Sequence, residues 1–539
     1  MMRLLSITVL VVMGGAAFAQ EGSYVSDVWV SDQHNGKYRN PILHADYSDP
    51  DVCRVGDDYY MVSSSFNCVP GLPILHSTDL VNWRILTHAL PRQVPVEHFR
   101  KPRHGNGVWA PSIRYHNGEF YIYYPDPDFG IYLTKARDAA GPWSESVLVE
   151  GGKGLIDPCP LWDDDGRVYL VHAFAGSRAG IKSVIVVREL NADGTRTIDE
   201  GRIVYDGHRD DPTVEGPKFY KRNGYYYIFA PAGGVATGWQ IALRSKHVFG
   251  PYERKVVMHQ GKTEINGPHQ GAWVTTPAGE DWFIHFQDKE AYGRVVHLQP
   301  MVWKNDWPVI GIDKNGDGTG EPVLTFRKPV VSGESEVQTP AETDEFSGST
   351  IGRQWQWHAN PQATWSFVND GKLRLYTQQM PEGGKNLWHL PNLLLQKFPA
   401  PEFTATARIA FYRNAKLQHE TAGLVVMGLD YTYLALRSKN DGIYLVLGQC
   451  TDAEKGNTEK ETIITKLPGD EAHLRTIVRD GAKYAFSYSV DGKKWVSVPG
   501  EHEAKPGKWI GAKVGLFSMR ESVTNDSGFA DVDWFRITK

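Results

Sequence analysis

Asp49, Asp157 and Glu215 stand at matched places in a repeated local pattern, each beside a turn-forming residue: Asp49-Pro50, Asp157-Pro158 and Glu215-Gly216-Pro217. A lone Asp-Pro commonly does no more than cap a turn. Recurrence at equivalent positions points further, because carboxyl groups that face one space can cleave a glycosidic bond. Single displacement needs a protonated carboxyl at the leaving oxygen and an ionised one activating water on the opposite face, roughly 6.5 to 9.5 Å apart. A third carboxylate near the acid would hold its proton on, since like charges raise a pKa.

The elements that position these groups are short hairpins. Asp49-Pro50-Asp51-Val52 runs through Gly56 to Tyr59-Tyr60, and the same strand, Gly-centred turn and aromatic strand recur from Ala110, Asp157, Glu215 and His269 at intervals of 47 to 61 residues. Repeats of that period built from hairpins predict a β-propeller, with a four-stranded blade per repeat and the inner strands around a channel. Five repeats predict five blades. Equivalent positions then meet at one rim: Asp49, Trp109 with Ala110, Asp157, Glu215 and His269. The turn-rich loop from Ser63 to Gly71, which holds Phe66 and Asn67, is expected to cup the channel mouth.

The chain has 539 residues, 54 of them glycine, and 12% are aromatic. That length predicts more than one domain, and the composition suits an all-β protein. Arg3, the apolar run Leu4 to Val12 and Ala17-Phe18-Ala19 read as a signal peptide over residues 1–19, so the mature chain is expected to be exported, periplasmic or secreted. Without Arg3 the chain carries 57 basic against 63 acidic residues, a balance that implies neither a nucleic-acid nor an anionic-membrane partner. No other run is long and apolar enough to span a bilayer. Cys53, Cys68, Cys159 and Cys450 match no zinc spacing and are read as buried free thiols.

The propeller is expected over residues 20–329, a polar linker over 330–342 and a β-sandwich over 343–539, where segments such as Lys372 to Tyr376 and Tyr431 to Arg437 suggest period-two alternation. The sandwich is read as structural and as closing one side of the pocket. Asp313 to Gly318 resembles the start of a calcium loop but has Leu324 at the twelfth position, where a bidentate Glu is required; a polar turn is the other reading. Asp344, Asp531 and Asp533 lie near the two ends of the sandwich, which should meet in space. They read either as a structural calcium site or as solvated turns.

Asn40-Pro41-Ile42-Leu43 through Asp51, Gly107-Val108-Trp109-Ala110-Pro111, Leu155-Ile156-Asp157-Pro158, Val214-Glu215-Gly216-Pro217 and Tyr292-Gly293-Arg294 resemble glycoside hydrolase family 43. The likeness is greatest to its β-xylosidases and α-L-arabinofuranosidases with a C-terminal concanavalin-like sandwich. The resemblance implies an inverting mechanism with no required cofactor and an oligosaccharide or polysaccharide substrate. Asp49 matches the general base, Glu215 the general acid, and Asp157 the carboxylate that tunes the acid and orients substrate. Trp109 matches a wall of the sugar pocket, Arg294 a ligand of sugar hydroxyls, and His269 a channel histidine near a hydrated metal ion in many members. Phe66 and Asn67 occupy a loop that is often aromatic-rich in the family and are placed at the sugar.

The function expected is exo-acting release of terminal β-D-xylose or α-L-arabinofuranose from plant cell-wall oligosaccharides. Pocket shape discriminates those two pentoses, whose hydroxyls are similarly arranged. A non-catalytic carbohydrate-binding protein is the alternative, which the complete carboxylate set speaks against. A fructan-type glycosidase would carry Trp-Met-Asn-Asp-Pro and Arg-Asp-Pro signatures, and the sequence has neither.

Overall fold

The computed structural model describes residues 23–333 and 335–539. The expected signal peptide and its cleavage point before Gln20 lie outside them. Five four-stranded antiparallel sheets follow in chain order. Their innermost strands are Asp51–Val55, Ser112–His116, Leu155–Trp162, Lys218–Arg222 and His269–Thr275. In blades 2 and 4 the first hairpin turns on Asn-Gly with positive φ at both residues, Asn117 and Gly118 (49° and 82°) and Asn223 and Gly224 (50° and 71°). That geometry matches the twist of the flanking strands.

The apolar core of the propeller is divided among the blade junctions, because each sheet buries both faces against its neighbours. Val52 and Tyr59 of blade 1 pack with Ala272 and Trp282 of blade 5, while Val62 and Ile74 pack with Ile113 and Ile122 of blade 2. Tyr123 meets Leu170, Val171 meets Phe219, and Phe229 meets Phe283 at the remaining junctions. Polar contacts reinforce this packing under the channel mouth. Buried Asp51 accepts from Ile113 N at 2.7 Å and from Arg114 at 2.6 Å, and buried Lys218 donates across the channel to Pro111 O at 2.9 Å. The ring is closed by its two ends, as Lys37–Arg39 pairs antiparallel with Thr325–Arg327 and Tyr38 Oη donates to Leu298 O at 2.8 Å.

A β-sandwich of two eight-stranded sheets follows. Lys372–Tyr376 alternates between buried and half-buried side chains, as its pattern predicts. Tyr431–Lys439 does not: Tyr431 to Ser438 are all buried. One face of that strand meets the other sheet, and Leu387, Leu390 and Leu393 of a covering segment pack over its second face. The last strand, Phe529–Thr538, lies inside its sheet between Lys372–Tyr376 and Phe403–Tyr412. All four cysteines are free and buried.

Propeller and sandwich share a polar, interlocked junction. Val69 and Trp357 exchange backbone hydrogen bonds at 2.9 and 2.6 Å, and Asn360 N donates to Phe99 O at 2.7 Å. Gly511 N donates to Asp46 at 2.9 Å, and Tyr292 Oη accepts from Ala482 N at 2.7 Å. His104 stacks on Trp388 with ring centroids 3.6 Å apart.

Candidate active site

Asp49 and Asp157 sit at corresponding points of blades 1 and 3 and share an uncommon backbone, with φ of 55° and 58°. Left-handed φ in a non-glycine residue persists where the surroundings hold it, often at functional sites. Here it turns both carboxylates into the channel mouth, where they meet Glu215. The three are tied together through intermediates. Gly216 N donates to Asp157 Oδ2 at 2.7 Å, which fixes the backbone beside Glu215, and His269 Nε2 lies 3.0 Å from Glu215 Oε1. Arg294 Nη1 reaches Asp49 Oδ1 at 3.2 Å.

The three carboxyl groups have different surroundings. Asp49 Oδ2 accepts from Ser48 Oγ at 2.7 Å and Ser64 Oγ at 2.5 Å, with the Arg294 guanidinium alongside, so every partner is a donor suited to a carboxylate. Asp157 is 4% exposed. Burial first, and then the charge of Glu215, push its carboxyl up to about 7. Glu215 is the most open, with 29% of its side chain exposed. A carboxyl able to reach solvent beside a buried one, facing a third carboxyl surrounded by donors, is an arrangement suited to proton transfer on both sides of a bond.

Trp109 is half-buried and fixed by its indole N–H, which donates to Gly105 O at 2.9 Å. Phe66 backs it with ring centroids 6.2 Å apart, and the Arg178 guanidinium lies 5.3 Å from the centre of the Trp109 ring. Phe66 is only 2% exposed, so it braces the wall of the pocket and does not present its ring to a sugar. Asn67 departs from its expected place at the sugar. It is buried at the domain junction, and its amide donates to His358 O of the sandwich at 2.8 Å. The turn-rich sequence around it gave no sign of which loop face meets the second domain.

Sequence reasoning missed Trp509. This residue comes from a sandwich loop and places its ring edge-on to Trp109 at 6.1 Å, so the second domain supplies part of the wall. It lies outside the propeller repeats, and no local motif marks it. Arg178 was missed as well, since its short helix Gly176–Ala179 is an insertion between two strands of blade 3 and carries no local motif.

Residues 38–308 match the family described as glycosyl hydrolases family 43, and residues 343–538 match the β-xylosidase C-terminal concanavalin A-like domain. The chain belongs to glycoside hydrolase family 43. A protein of Xylanibacter ruminicola is 39% identical over 495 residues, 90% of this chain and 87% of its own. The β-xylosidase of Formosa agariphila is 32% identical over 96% of this chain and 92% of its own. The crystal structure of a xylan β-1,4-xylosidase from Bacillus halodurans superposes with a TM-score of 0.81 at 25% identity, covering 93% of this chain and all (100%) of that one.

In this family 43 chain the sandwich carboxylates read as either calcium ligands or turn residues are each engaged by protein groups. Asp344 accepts from Phe346 N and Gly352 N at 2.8 Å and from the Trp355 indole at 2.9 Å. Asp531 is paired with Arg374 at 2.7 Å, and Asp533 with Arg408 at 2.6 Å and Lys372 at 3.2 Å. The ends of the sandwich do meet, at Asp344 and Phe535, but the cations there already balance the two strand aspartates. At Asp313 the carboxylate caps Gly316 N and Gly318 N and pairs with Lys304 at 3.0 Å, as a polar turn does. Among the described residues no three His, Cys, Asp or Glu side chains are grouped to hold a metal. His269 Nδ1 is buried without a partner there, but a single nitrogen is not a donor set for a directly bound ion.

Proposed function

We propose that this enzyme is an exo-acting β-xylosidase that removes terminal D-xylose from xylo-oligosaccharides with inversion. The observation that carries the reading is the contrast between Asp49, surrounded by donors and Arg294, and Glu215, open to solvent beside a buried Asp157. Glu215 gives its proton to the leaving oxygen as the bond to the anomeric carbon breaks. Water attacks that carbon from the opposite face, and Asp49 takes the proton water loses. Asp157 anchors Gly216 and so aims Glu215, while Trp109 and Arg294 hold the terminal sugar. The choice of xylose rests on the relatives named as xylosidases.

The test separates acid from base by leaving group. General acid or base help is worth ~10² to 10⁴ in rate, and a nitrophenolate departs with little protonation whereas a sugar alkoxide does not. Glu215→Ala is expected to lose far more kcat/KM on xylobiose than on a nitrophenyl xyloside. Asp49→Ala is expected to lose similar amounts on both, because both need activated water. The opposite pattern would mean that the two roles are exchanged. Faster turnover of a nitrophenyl arabinofuranoside by the wild type would reassign the sugar, and retention of anomeric configuration in early proton NMR spectra would refute single displacement.

A further inference from the structure

Blade 1, the linker and the sandwich enclose a small cavity of about 40 Å³, whose lining includes Tyr47, His88, Glu342, Gln396 and Lys397. One water needs roughly 10–15 Å³, so the space admits a small ion with a water or two beside it and no sugar. Strand register gathers positive charge here. In the sandwich, Leu394–Lys397 runs antiparallel to Lys513–Arg520, and Lys397 stands directly opposite Lys513. Like charges so placed are destabilising, and more so away from water. Lys513 is 2% exposed. Among the described residues no carboxylate pairs with either ammonium: Lys513 donates to Cys68 Sγ at 2.9 Å and to Gln356 Oε1 at 3.4 Å, and Lys397 Nζ lies 5.2 Å from the centre of the Tyr47 ring.

The neighbouring carboxyl groups are committed elsewhere. Asp46 accepts from Arg294 N and Gly511 N, both at 2.9 Å. Glu342 accepts from Ser26 Oγ at 2.5 Å, and burial pushes its carboxyl up to about 7, so below that pH it brings no charge. The surplus of positive charge is felt by the bases of the cavity. Burial first, and then Lys397 and Arg353, push His88 down to about 3, and burial and then Lys513 push Lys397 down to about 8. Gln396 adds a donor in need of a partner: it is 3% exposed, and its Nε2 has no acceptor among the described residues. A water molecule would satisfy that amide yet leave two like charges facing each other. An anion does both, and the volume favours a monatomic one.

We propose that this cavity is a halide site, in which one chloride ion held by Lys397 and the Gln396 amide offsets the paired charges of Lys397 and Lys513 and fastens the sandwich to blade 1. A ligand that binds only the folded chain stabilises it in proportion to the logarithm of its concentration once the site is filled. At pH 6, where Glu342 keeps its proton, the Tm of the whole enzyme should therefore rise with the logarithm of sodium chloride concentration. It should not rise in sodium gluconate of equal ionic strength, whose anion is too large to enter. Lys397→Met and Gln396→Leu should each flatten the chloride response towards the gluconate one. Wild-type crystals soaked in sodium bromide give a reading independent of any variant's folding: an anomalous peak should stand in the cavity, beside Lys397 and Gln396. Equal responses to the two salts overturn the proposal, as does a chloride response that survives in both variants. Absence of the bromide peak also overturns it, and a peak without a chloride-dependent Tm marks an adventitious ion and does the same.

Discussion

Asp157 is buried beside Glu215, and its carboxyl is pushed up to about 7 by that burial and then by its neighbour's charge. The unfolded chain releases this proton near the ordinary carboxylate value of 3.8, whereas the folded chain keeps it until about 7. Folding therefore binds a proton in that interval, and stability falls as pH rises through it. Asn at this position is nearly isosteric, does not titrate, and can still accept from Gly216 N. Asp157→Asn is expected to melt at a higher temperature than wild type above pH 7, with the gain vanishing towards pH 4; a Tm difference independent of pH would contradict this. Proximity of Asp157 to Glu215 was legible because both residues occupy repeated frames, and a frame fixes where a side chain points. His269 was legible through the same repeated frame, and Arg294 through the family likeness. Asn67 was misplaced because a loop sequence reports that it turns, not which of two surfaces it turns towards.

At the scale of elements, the hairpin repeat was readable because each turn needs residues that tolerate positive φ, and glycine or Asn-Gly marks those positions. Blade number followed from the repeats alone. The sandwich was less legible: Tyr431 to Arg437 showed an alternating pattern yet is buried on both faces, since a covering segment distant in sequence decides its second face. One glycine connects strand geometry to the pocket. Gly107 has a φ of 87°, and a Cβ there would stand 2.3 Å from Phe66 O, inside the bridge that joins Phe66 to Val108 just before Trp109. Gly107→Ala should cost ~1–3 kcal/mol from the backbone alone. By shifting Trp109 it should also lower kcat/KM up to about a hundredfold. Gly56, with a φ of 62° and open space around it, is the control: Gly56→Ala should show a Tm loss without the loss of activity. Equal activity in the two variants would mean that the Phe66 bridge does not position Trp109.

At the scale of the whole molecule, the junction between the domains is part of the active site. The sandwich pins the loop that carries Phe66 through Val69, Asn67 and Gln93, and it sends Trp509 to the pocket wall. Residues 20–335 expressed alone should consequently be weakly active, and mixing with separately made 340–539 should restore turnover of a nitrophenyl xyloside. Full activity of the propeller by itself would show that the wall is dispensable. The placement of the last strand extends this argument to the order in which the chain is made. Phe529–Thr538 fills an interior position between strands that precede it by more than a hundred residues, so that sheet cannot close until this strand has been made. The propeller, with its carboxylates in place, is synthesised long before. A chain cut short before Phe529 would leave Lys372–Tyr376 and Phe403–Tyr412 without the strand that joins them.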